Sequence, residues 1–184
     1  RGFSVIGADS DSRKVETAAS GVPSIFEPGL AELLQTAGAR LTTTDDTEAA
    51  VAGSDVTFIV VPTPSEEEGG FSLQHVLSAC QTIGKALRAK EGFHVIVLTS
   101  TVMPGSTGGA VQSALEQASG KRCGRDFGLC YSPEFIALGS VIHDFLNPDF
   151  LLIGESDPSS GEILASVYEQ VCKSGPPMAR MSFV

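Results

Sequence analysis

Short apolar runs alternate with longer polar or amphipathic segments along most of this chain. A run of about four to eight apolar residues bounded by turn residues is typical of a β-strand, and a β-branched run without alternation is typical of a strand buried on both faces. Six such runs are predicted as strands: residues 2–8, 40–43, 56–61, 94–98, 127–131 and 150–154.

The segments between these runs carry the spacing and the end signals of helices. Asp11 is placed to cap the first helix, Pro28 to open the second, and Thr107 to cap the helix after the fourth strand. The predicted helices are residues 12–19, 29–35, 47–52, 73–87, 107–118 and 161–172, and no element is predicted after residue 176. Strands that alternate with helices predict a mainly parallel sheet covered on both faces, the doubly wound, Rossmann-like α/β fold.

The composition narrows the range of partners. The 184 residues are enough for one domain with a real core, and residues 1–184 are predicted to be that domain. With 12 Lys and Arg against 22 Asp and Glu, the net charge of −10 argues against nucleic acid and anionic membranes as partners. The four cysteines and three histidines are too scattered for a metal or disulfide pattern, so no metal is expected and a reducing, cytoplasmic location is the default.

Polar clusters follow three of the predicted strands directly. They are Val61-Pro-Thr-Pro64, Ser100-Thr101 and Tyr131-Ser-Pro-Glu-Phe-Ile-Ala-Leu-Gly139. In an open α/β sheet, ligands bind outside the carboxyl ends of the strands. The three clusters therefore predict one ligand-binding crevice.

Asp9, at the end of the first predicted strand, has two interpretations. An acid at the end of the second strand of a dinucleotide-binding fold accepts hydrogen bonds from the adenosine ribose, but an aspartate here can also cap the following helix. Lys14 either lies near the same ribose or faces solvent. No G-x-G-x-x-G turn accompanies this strand, so position alone leaves both interpretations open.

Thr63, Thr101 and Glu134 also have purely structural alternatives. Two prolines make the loop of Thr63 rigid, so it either presents the hydroxyl or is a plain turn. The loop of Thr101 either presents hydroxyls to a cofactor and water or only leads into a helix. Glu134 can act as a general base or hold a water, although surface glutamates are mostly only solvated. Asp144 and Asp149 are predicted turn residues.

Together these stretches resemble the UDP-glucose/GDP-mannose (nucleotide-sugar) 6-dehydrogenase family over essentially the whole chain. One motif alone would be weak, whereas six in family order and with family spacing are specific. The motifs are Val5-Ile-Gly-Ala-Asp9 with Lys14, Phe26-Glu-Pro-Gly-Leu30 with Ser54-Asp55, Val61-Pro-Thr-Pro64, Ser100-Thr-Val-Met-Pro-Gly105, Ser132-Pro-Glu-Phe135 and Asp144-Phe-Leu-Asn-Pro-Asp149.

The resemblance implies the NAD-binding domain of an enzyme that oxidises the C6 alcohol of a nucleotide sugar, with a UDP-sugar expected, to a uronic acid for polysaccharide biosynthesis. Family members transfer two hydrides to NAD⁺ and pass through a thioester on a catalytic cysteine. Carried over by motif, Asp9 and Lys14 would hold the adenosine ribose, while Thr63 and Thr101 would line the cofactor crevice.

The catalytic and substrate roles implied by the resemblance fall on two loops. Thr101 would also order the hydrolytic water. Glu134 would contact the substrate and assist hydrolysis of the thioester, and Phe135 and Leu138 would belong to the same substrate-facing loop. Leu138 stands where the family often has an acid, and the run from Phe135 to Gly139 looks closer to the UDP-N-acetylhexosamine branch.

The resemblance also predicts which parts of the family's enzymes are absent from these 184 residues. The family's first strand and Gly-rich turn would precede Arg1, and none of the four cysteines has the family's Gly-x-Cys context. The 184 residues alone are therefore expected to be inactive, to bind NAD weakly and to expose strand edges. The full-length enzyme is expected to be a homo-oligomer.

Two alternatives stay open at this stage. One is a hydroxyacid-type dehydrogenase with a similar Ser-Thr-Val loop, against which Glu27-Pro28-Gly29 and Pro133-Glu134-Phe135 count. The other is a nucleotide-binding module without catalysis.

Overall fold

In the computed structural model, which describes residues 2–67 and 69–183, strands and helices alternate along most of the chain. The strands are β1 (Val5–Ala8), β2 (Leu41–Thr44), β3 (Val56–Ile59), β4 (Val95–Leu98), β5 (Gly128–Tyr131), β6 (Leu151–Glu155) and β7 (Met178–Ser182). The α-helices are α1 (Ser12–Ala19), α2 (Leu30–Ala37), α3 (Thr47–Ala52), α4 (Gln74–Ala89), α5 (Gln112–Ser119), α6 (Val141–Leu146) and α7 (Pro158–Val171). The doubly wound α/β prediction is confirmed.

The strands form two sheets. β1 pairs with β2 in parallel, and the second sheet has the order β3-β4-β5-β6-β7. Every pair of the larger sheet is parallel except β5 with β6, which is antiparallel. The last strand, β7, was not predicted, because its exposed sequence Met178–Ser182 lacks the apolar run that marked the others.

The two sheets are not hydrogen-bonded to each other within the described residues. β1 is largely exposed, with Val5 at 51% and Ile6 at 36%. At the other open edge, Phe58 in β3 is 38% exposed and Val60, just after it, is 67% exposed. Open strand edges with apolar side chains favour self-association, and the expected tendency to associate stays a prediction.

The core lies on both faces of β4, whose four residues are all buried. Side chains alternate across a strand, so Ile96 and Leu98 pack in a cluster with α4 and α5. Val95 and Val97 belong to the opposite cluster, which includes Leu164 of α7. Helices on both faces explain why β4 reads as a continuous apolar run.

Two predicted element ends were wrong for identifiable reasons. Thr107 does not cap a helix, because Ser106 before it is already helical and Thr107–Val111 forms a π-helical turn leading into α5. The third strand ends at Ile59 rather than at residue 61. The cause is Ser100, whose hydroxyl accepts from the Val61 N–H (2.9 Å) and donates to the Val61 carbonyl (2.7 Å).

Replacing Gly84 with alanine is expected to destabilise the contact between α4 and α5. A Cβ at position 84 would lie 2.5 Å from the Ala118 Cβ and 3.2 Å from the Leu115 carbonyl oxygen. Such overpacking costs about 1–3 kcal/mol of unfolding free energy, measurable by chemical denaturation. The matched control is Gly109→Ala, where a Cβ would meet nothing within 4 Å. Equal stability of the two variants would contradict the prediction.

The stability of the protein is expected to fall as pH decreases from about 6.5 to 4, because of His94. Burial and the nearby positive charge of Lys90 lower the pKa of this 1%-exposed residue from 6.5 to about 4. The unfolded chain then binds a proton that the folded chain excludes, so acid favours unfolding, by about 3 kcal/mol over this range. Unfolding free energies measured across this pH range should show a smaller loss in His94→Gln and an unchanged loss in the exposed control His75→Gln.

Candidate functional site

Three loops of predicted site residues leave the same edge of the larger sheet. β3, β4 and β5 are parallel and in register, with Ile59 opposite Leu98 and Leu98 opposite Tyr131. Their carboxyl ends are therefore neighbours, and the loops of Thr63, Thr101 and Glu134 begin there. Asp9 follows β1, which belongs to the smaller sheet.

Asp9 does not cap α1. The cap is Asp11, whose carboxylate accepts from the Arg13 N–H at 3.0 Å. The Oδ1 of Asp9 accepts from the Asp11 N–H at 2.9 Å, and its Oδ2 lies 3.3 Å from the Lys14 Nζ. Asp9 thus presents a partly exposed carboxyl group beside a lysine, which excludes the simple capping alternative.

This pair lies on the wall of a pocket of about 620 Å³ between β1, α1 and α2. Its polar lining includes Asp9, Lys14 and Arg13, while Val22 and Pro23 contribute apolar surface. A carboxylate that accepts hydrogen bonds beside apolar walls suits a diol attached to a flat, mostly apolar ring. The lining of this pocket therefore fits the adenosine half of a dinucleotide.

The hydroxyls near the ends of β3 and β4 divide into two groups. Thr99 donates to the Ile59 carbonyl at 3.0 Å, and Ser100 is bonded to Val61, so both side chains join the two loops structurally. The side chains of Thr63 and Thr101 make no hydrogen bond with another described residue. Thr101 is exposed and Thr63 half-buried, which leaves these two hydroxyls available to a ligand.

Glu134 is half-buried and its carboxylate makes no hydrogen bond or ion pair with the described residues. Burial raises the pKa of this carboxyl above its usual value. It lines a small pocket of about 20 Å³ together with Tyr168 and Asp144. That volume is enough for one water molecule, so a carboxylate of raised basicity borders a site of the size of a single water.

Phe135 and Leu138, predicted substrate contacts, differ in their surroundings. The Phe135 ring packs against Phe150, with 4.8 Å between ring centroids, and lines the pocket of Glu134. Leu138 is 91% exposed and lines neither of the two pockets. The substrate role of both residues stays a prediction.

Two features of this region were not predicted. The buried Ser132 hydroxyl lies 2.8 Å from the Tyr168 hydroxyl, which joins β5 to α7 behind Glu134. Tyr168 lies among the apolar residues of an amphipathic helix, so the sequence carried no signal of this contact. The second feature is Glu27, a buried carboxylate that binds the loop of Glu134. Its motif, Phe26-Glu-Pro-Gly-Leu30, carries the family resemblance but predicts no role for this carboxyl group.

The sulfur and metal chemistry of the described residues is limited. Burial raises the pKa of Cys80 and of Cys130 to about 12, which keeps both as unreactive thiols. Burial also raises the pKa of Cys123. No group of three metal-ligating side chains occurs among residues 2–67 and 69–183. Within the same residues, no helix has the length and apolar character that crossing a membrane would require.

Comparison with known proteins places this geometry in context. A family model described as "UDP-glucose/GDP-mannose dehydrogenase family, NAD binding domain" matches residues 1–172. The chain is 41% identical over 173 residues to a GDP-mannose 6-dehydrogenase of Pseudomonas syringae pv. tomato, covering 93% of this chain and 40% of that protein. It is 34% identical over 182 residues to a UDP-glucose 6-dehydrogenase of Haloferax volcanii, covering 97% of this chain and 42% of that protein.

Among solved structures, a ternary complex of GDP-mannose dehydrogenase from Pseudomonas aeruginosa has a TM-score of 0.94 and 38% identity, covering 100% of this chain and 42% of that chain. A UDP-glucose dehydrogenase from Pyrobaculum islandicum has a TM-score of 0.90 at 38% identity, covering 99% of this chain and 41% of that one. The chain thus spans 40% of the length of the first curated relative that it matches.

Proposed function

Because this chain belongs to the UDP-glucose/GDP-mannose dehydrogenase family, through its NAD-binding domain, we propose that it supplies the cofactor domain for oxidation of a nucleotide-sugar C6 alcohol to a uronic acid. The observation that carries the proposal is the Asp9–Lys14 pair on the wall of a pocket that fits a nucleoside. Without such a carboxylate, the fold alone would not favour a dinucleotide over other ligands.

Asp9 and Lys14 are the residues we assign to the cofactor. The Asp9 carboxylate would accept hydrogen bonds from the ribose hydroxyls, and Lys14 would keep that carboxylate oriented. Thr63 and Thr101 would line the crevice further along the sheet edge, with their unbonded hydroxyls toward the ligand. When bound, NAD⁺ accepts the hydride from the sugar carbon.

Glu134 and Thr101 are the residues we assign to chemistry. A carboxylate of raised pKa next to a water-sized pocket can take a proton from that water when the water attacks the acyl carbon of a thioester, whose carbon–sulfur bond then breaks to release the thiolate. Thr101 does not line this pocket. From the loop of the adjacent strand, its unbonded hydroxyl would help to orient the attacking water at the sheet edge. Phe135 and Leu138 would lie on the substrate side of the Glu134 loop.

The substrate we propose is a UDP- or GDP-sugar. This proposal is supported by the relatives that the chain resembles, which include GDP-mannose and UDP-glucose 6-dehydrogenases. The expectation of a UDP-sugar, and of a UDP-N-acetylhexosamine in particular, stays a prediction.

We also propose the extent of the domain, the cellular location and the assembly of the protein. Residues 1–184 are taken as one NAD-binding domain, since β7 lies beyond the matched segment yet pairs with β6 in the same sheet. A cytoplasmic location suits the free thiols of Cys80, Cys123 and Cys130. A homo-oligomeric enzyme acting in polysaccharide biosynthesis, without nucleic acid or membrane partners, completes the proposal.

The test is an assay of the complete gene product that contains this chain. It would be mixed with NAD⁺ and, in turn, UDP-glucose, GDP-mannose and UDP-N-acetyl sugars, and NADH would be followed by absorbance. The proposal expects two NADH for each sugar oxidised, because an alcohol loses four electrons on becoming a carboxylate. Binding of nucleotides without NADH formation would instead support a non-catalytic module.

A further inference from the structure

Glu27 is a buried carboxylate that connects two distant parts of the chain. Glu27 as a whole residue is only 8% exposed. Its Oε2 accepts from the Gly139 N–H at 3.0 Å, and its Oε1 accepts from the Ile142 N–H at 3.4 Å. The segment before α2 is thereby bound to residues 133–140, here called the Glu134 loop, and to the start of α6.

A second carboxyl group, on the helix that follows the Glu134 loop, also binds this loop. Asp144 of α6 accepts from the Ala137 N–H at 3.3 Å and from the Ser140 hydroxyl at 2.6 Å. Its bonds tie the loop to α6, the helix that directly follows it and packs on the core through Phe145. Glu27 ties the same loop to an element more than 100 residues away in sequence.

The two oxygens of the Glu27 carboxyl group suit the attachment of the Glu134 loop. None of the ion pairs of the described residues includes Glu27. Backbone N–H groups are therefore the hydrogen-bond partners of its two oxygens, and a buried carboxyl group is tolerated only with such partners. A glutamine amide has one oxygen where the carboxylate has two, so it would turn an N–H donor toward one of the two backbone N–H groups.

The segment that carries Glu27 also borders the cofactor pocket. Val22, Pro23 and Ser24, a few residues earlier, line the pocket of Asp9. Gly29, after Glu27, has a positive φ of 82° that turns the chain into α2. One short segment therefore contacts the Asp9 pocket at its start and the Glu134 loop near its end.

We propose that Glu27 is a positioning residue that fixes the Glu134 loop against the domain so that Glu134 stays at its pocket. The catalytic part of this inference rests on the proposed function, whereas the attachment of the loop does not. Loss of the two hydrogen bonds should free the loop and misplace Glu134, while Asp9 and Lys14 keep their contacts with each other.

The experiment compares Glu27→Gln with Glu32→Gln, an exposed glutamate on α2, in the complete gene product. Hydrogen exchange by mass spectrometry would follow peptides covering residues 135–146, with β4 peptides as an internal reference. We expect exchange in the 135–146 peptides to become about tenfold faster in Glu27→Gln, the effect of losing roughly 1.4 kcal/mol of local stability. Glu32→Gln and the β4 peptides should not change.

Kinetic measurements then distinguish a role of Glu27 in positioning Glu134 from a general contribution to the stability of the protein. In Glu27→Gln we expect kcat to fall about tenfold with the KM for NAD⁺ within about twofold. In a Glu134→Gln background the same change should have almost no effect on kcat, because the group it positions is gone. Glu27→Asp keeps the carboxyl group on a shorter side chain and provides a milder variant if Glu27→Gln does not fold. In this variant too, exchange over residues 135–146 should become faster and kcat should fall.

Unchanged exchange over residues 135–146 would overturn the attachment of the loop, whatever the activity of the protein. Faster exchange with an equal loss of kcat in the wild-type and Glu134→Gln backgrounds would overturn the positioning role. A gene product without dehydrogenase activity would refute the proposed function and the catalytic part of this inference, and the exchange measurement would still decide whether Glu27 attaches the loop.

Discussion

Replacing Glu134 with glutamine is expected to lower kcat for nucleotide-sugar oxidation by about 10²- to 10⁴-fold, the usual range for loss of a general base. Glutamine has nearly the same shape but cannot take a proton. The Glu134 carboxylate makes no bond with the described residues, so the loss should come from chemistry rather than from unfolding. The measurement is steady-state NADH formation by the complete gene product.

The pH dependence of kcat gives a second readout for Glu134. Burial raises the pKa of its carboxyl, and only the ionised form can act as a base. The wild-type kcat should therefore fall as pH decreases through this raised pKa, and the Glu134→Gln variant should lack that acid limb. Glu169→Gln, on the exposed face of α7, is the matched control. A Glu134→Gln variant with wild-type kcat would exclude Glu134 from the chemistry.

Replacing Asp9 with asparagine is expected to raise the KM for NAD⁺ by about 10- to 100-fold, which corresponds to the loss of roughly 1.5–3 kcal/mol from hydrogen bonds to a charged group. The carboxylate accepts through both oxygens, whereas the amide presents one oxygen and an NH₂ group. The KM for the nucleotide sugar should stay within about twofold. Asp45→Asn, an exposed aspartate after the neighbouring strand β2, is the control.

The cofactor preference should shift in the same Asp9→Asn variant. An acid at this position repels the 2′-phosphate of NADP⁺, while Lys14, at 3.3 Å from Asp9, would attract it once the acid is neutral. The ratio of kcat/KM for NADP⁺ to that for NAD⁺ should therefore rise. An unchanged KM for NAD⁺ and an unchanged ratio would together remove Asp9 from the cofactor site.

Local patterns were sufficient for the elements whose stability is local or fully buried. α1 and α3 have the predicted bounds, since Asp11 and Asp46 cap them with their own side chains. β4 was recognised because burial on both faces demands a continuous apolar run. The π-helical turn before α5 was missed, because a single turn of five residues is too short for the apolar spacing to mark it.

The candidate site was predictable only as far as strand ends allow. A polar residue directly after a parallel strand lies at the ligand-binding edge wherever the strand is placed, which is why Thr63, Thr101 and Glu134 could be named from the sequence. Whether a given hydroxyl is bonded within the protein or left available to a ligand was not predictable. Ser100 and Thr101 are adjacent and chemically similar, yet the Ser100 hydroxyl is bonded to the chain after β3 and that of Thr101 is not.

By itself the sequence determined the α/β alternation, the family and the positions of Asp9 and Glu134 at strand ends, because these depend on periodicity and on motifs within a few residues. The tertiary structure alone decided the antiparallel pairing of β5 with β6, the burial that raises the pKa of Glu134, and the contact of Glu27 with Gly139. Each of these depends on which distant segment packs alongside, and hydrogen bonding and desolvation between such segments leave no periodic trace in the chain.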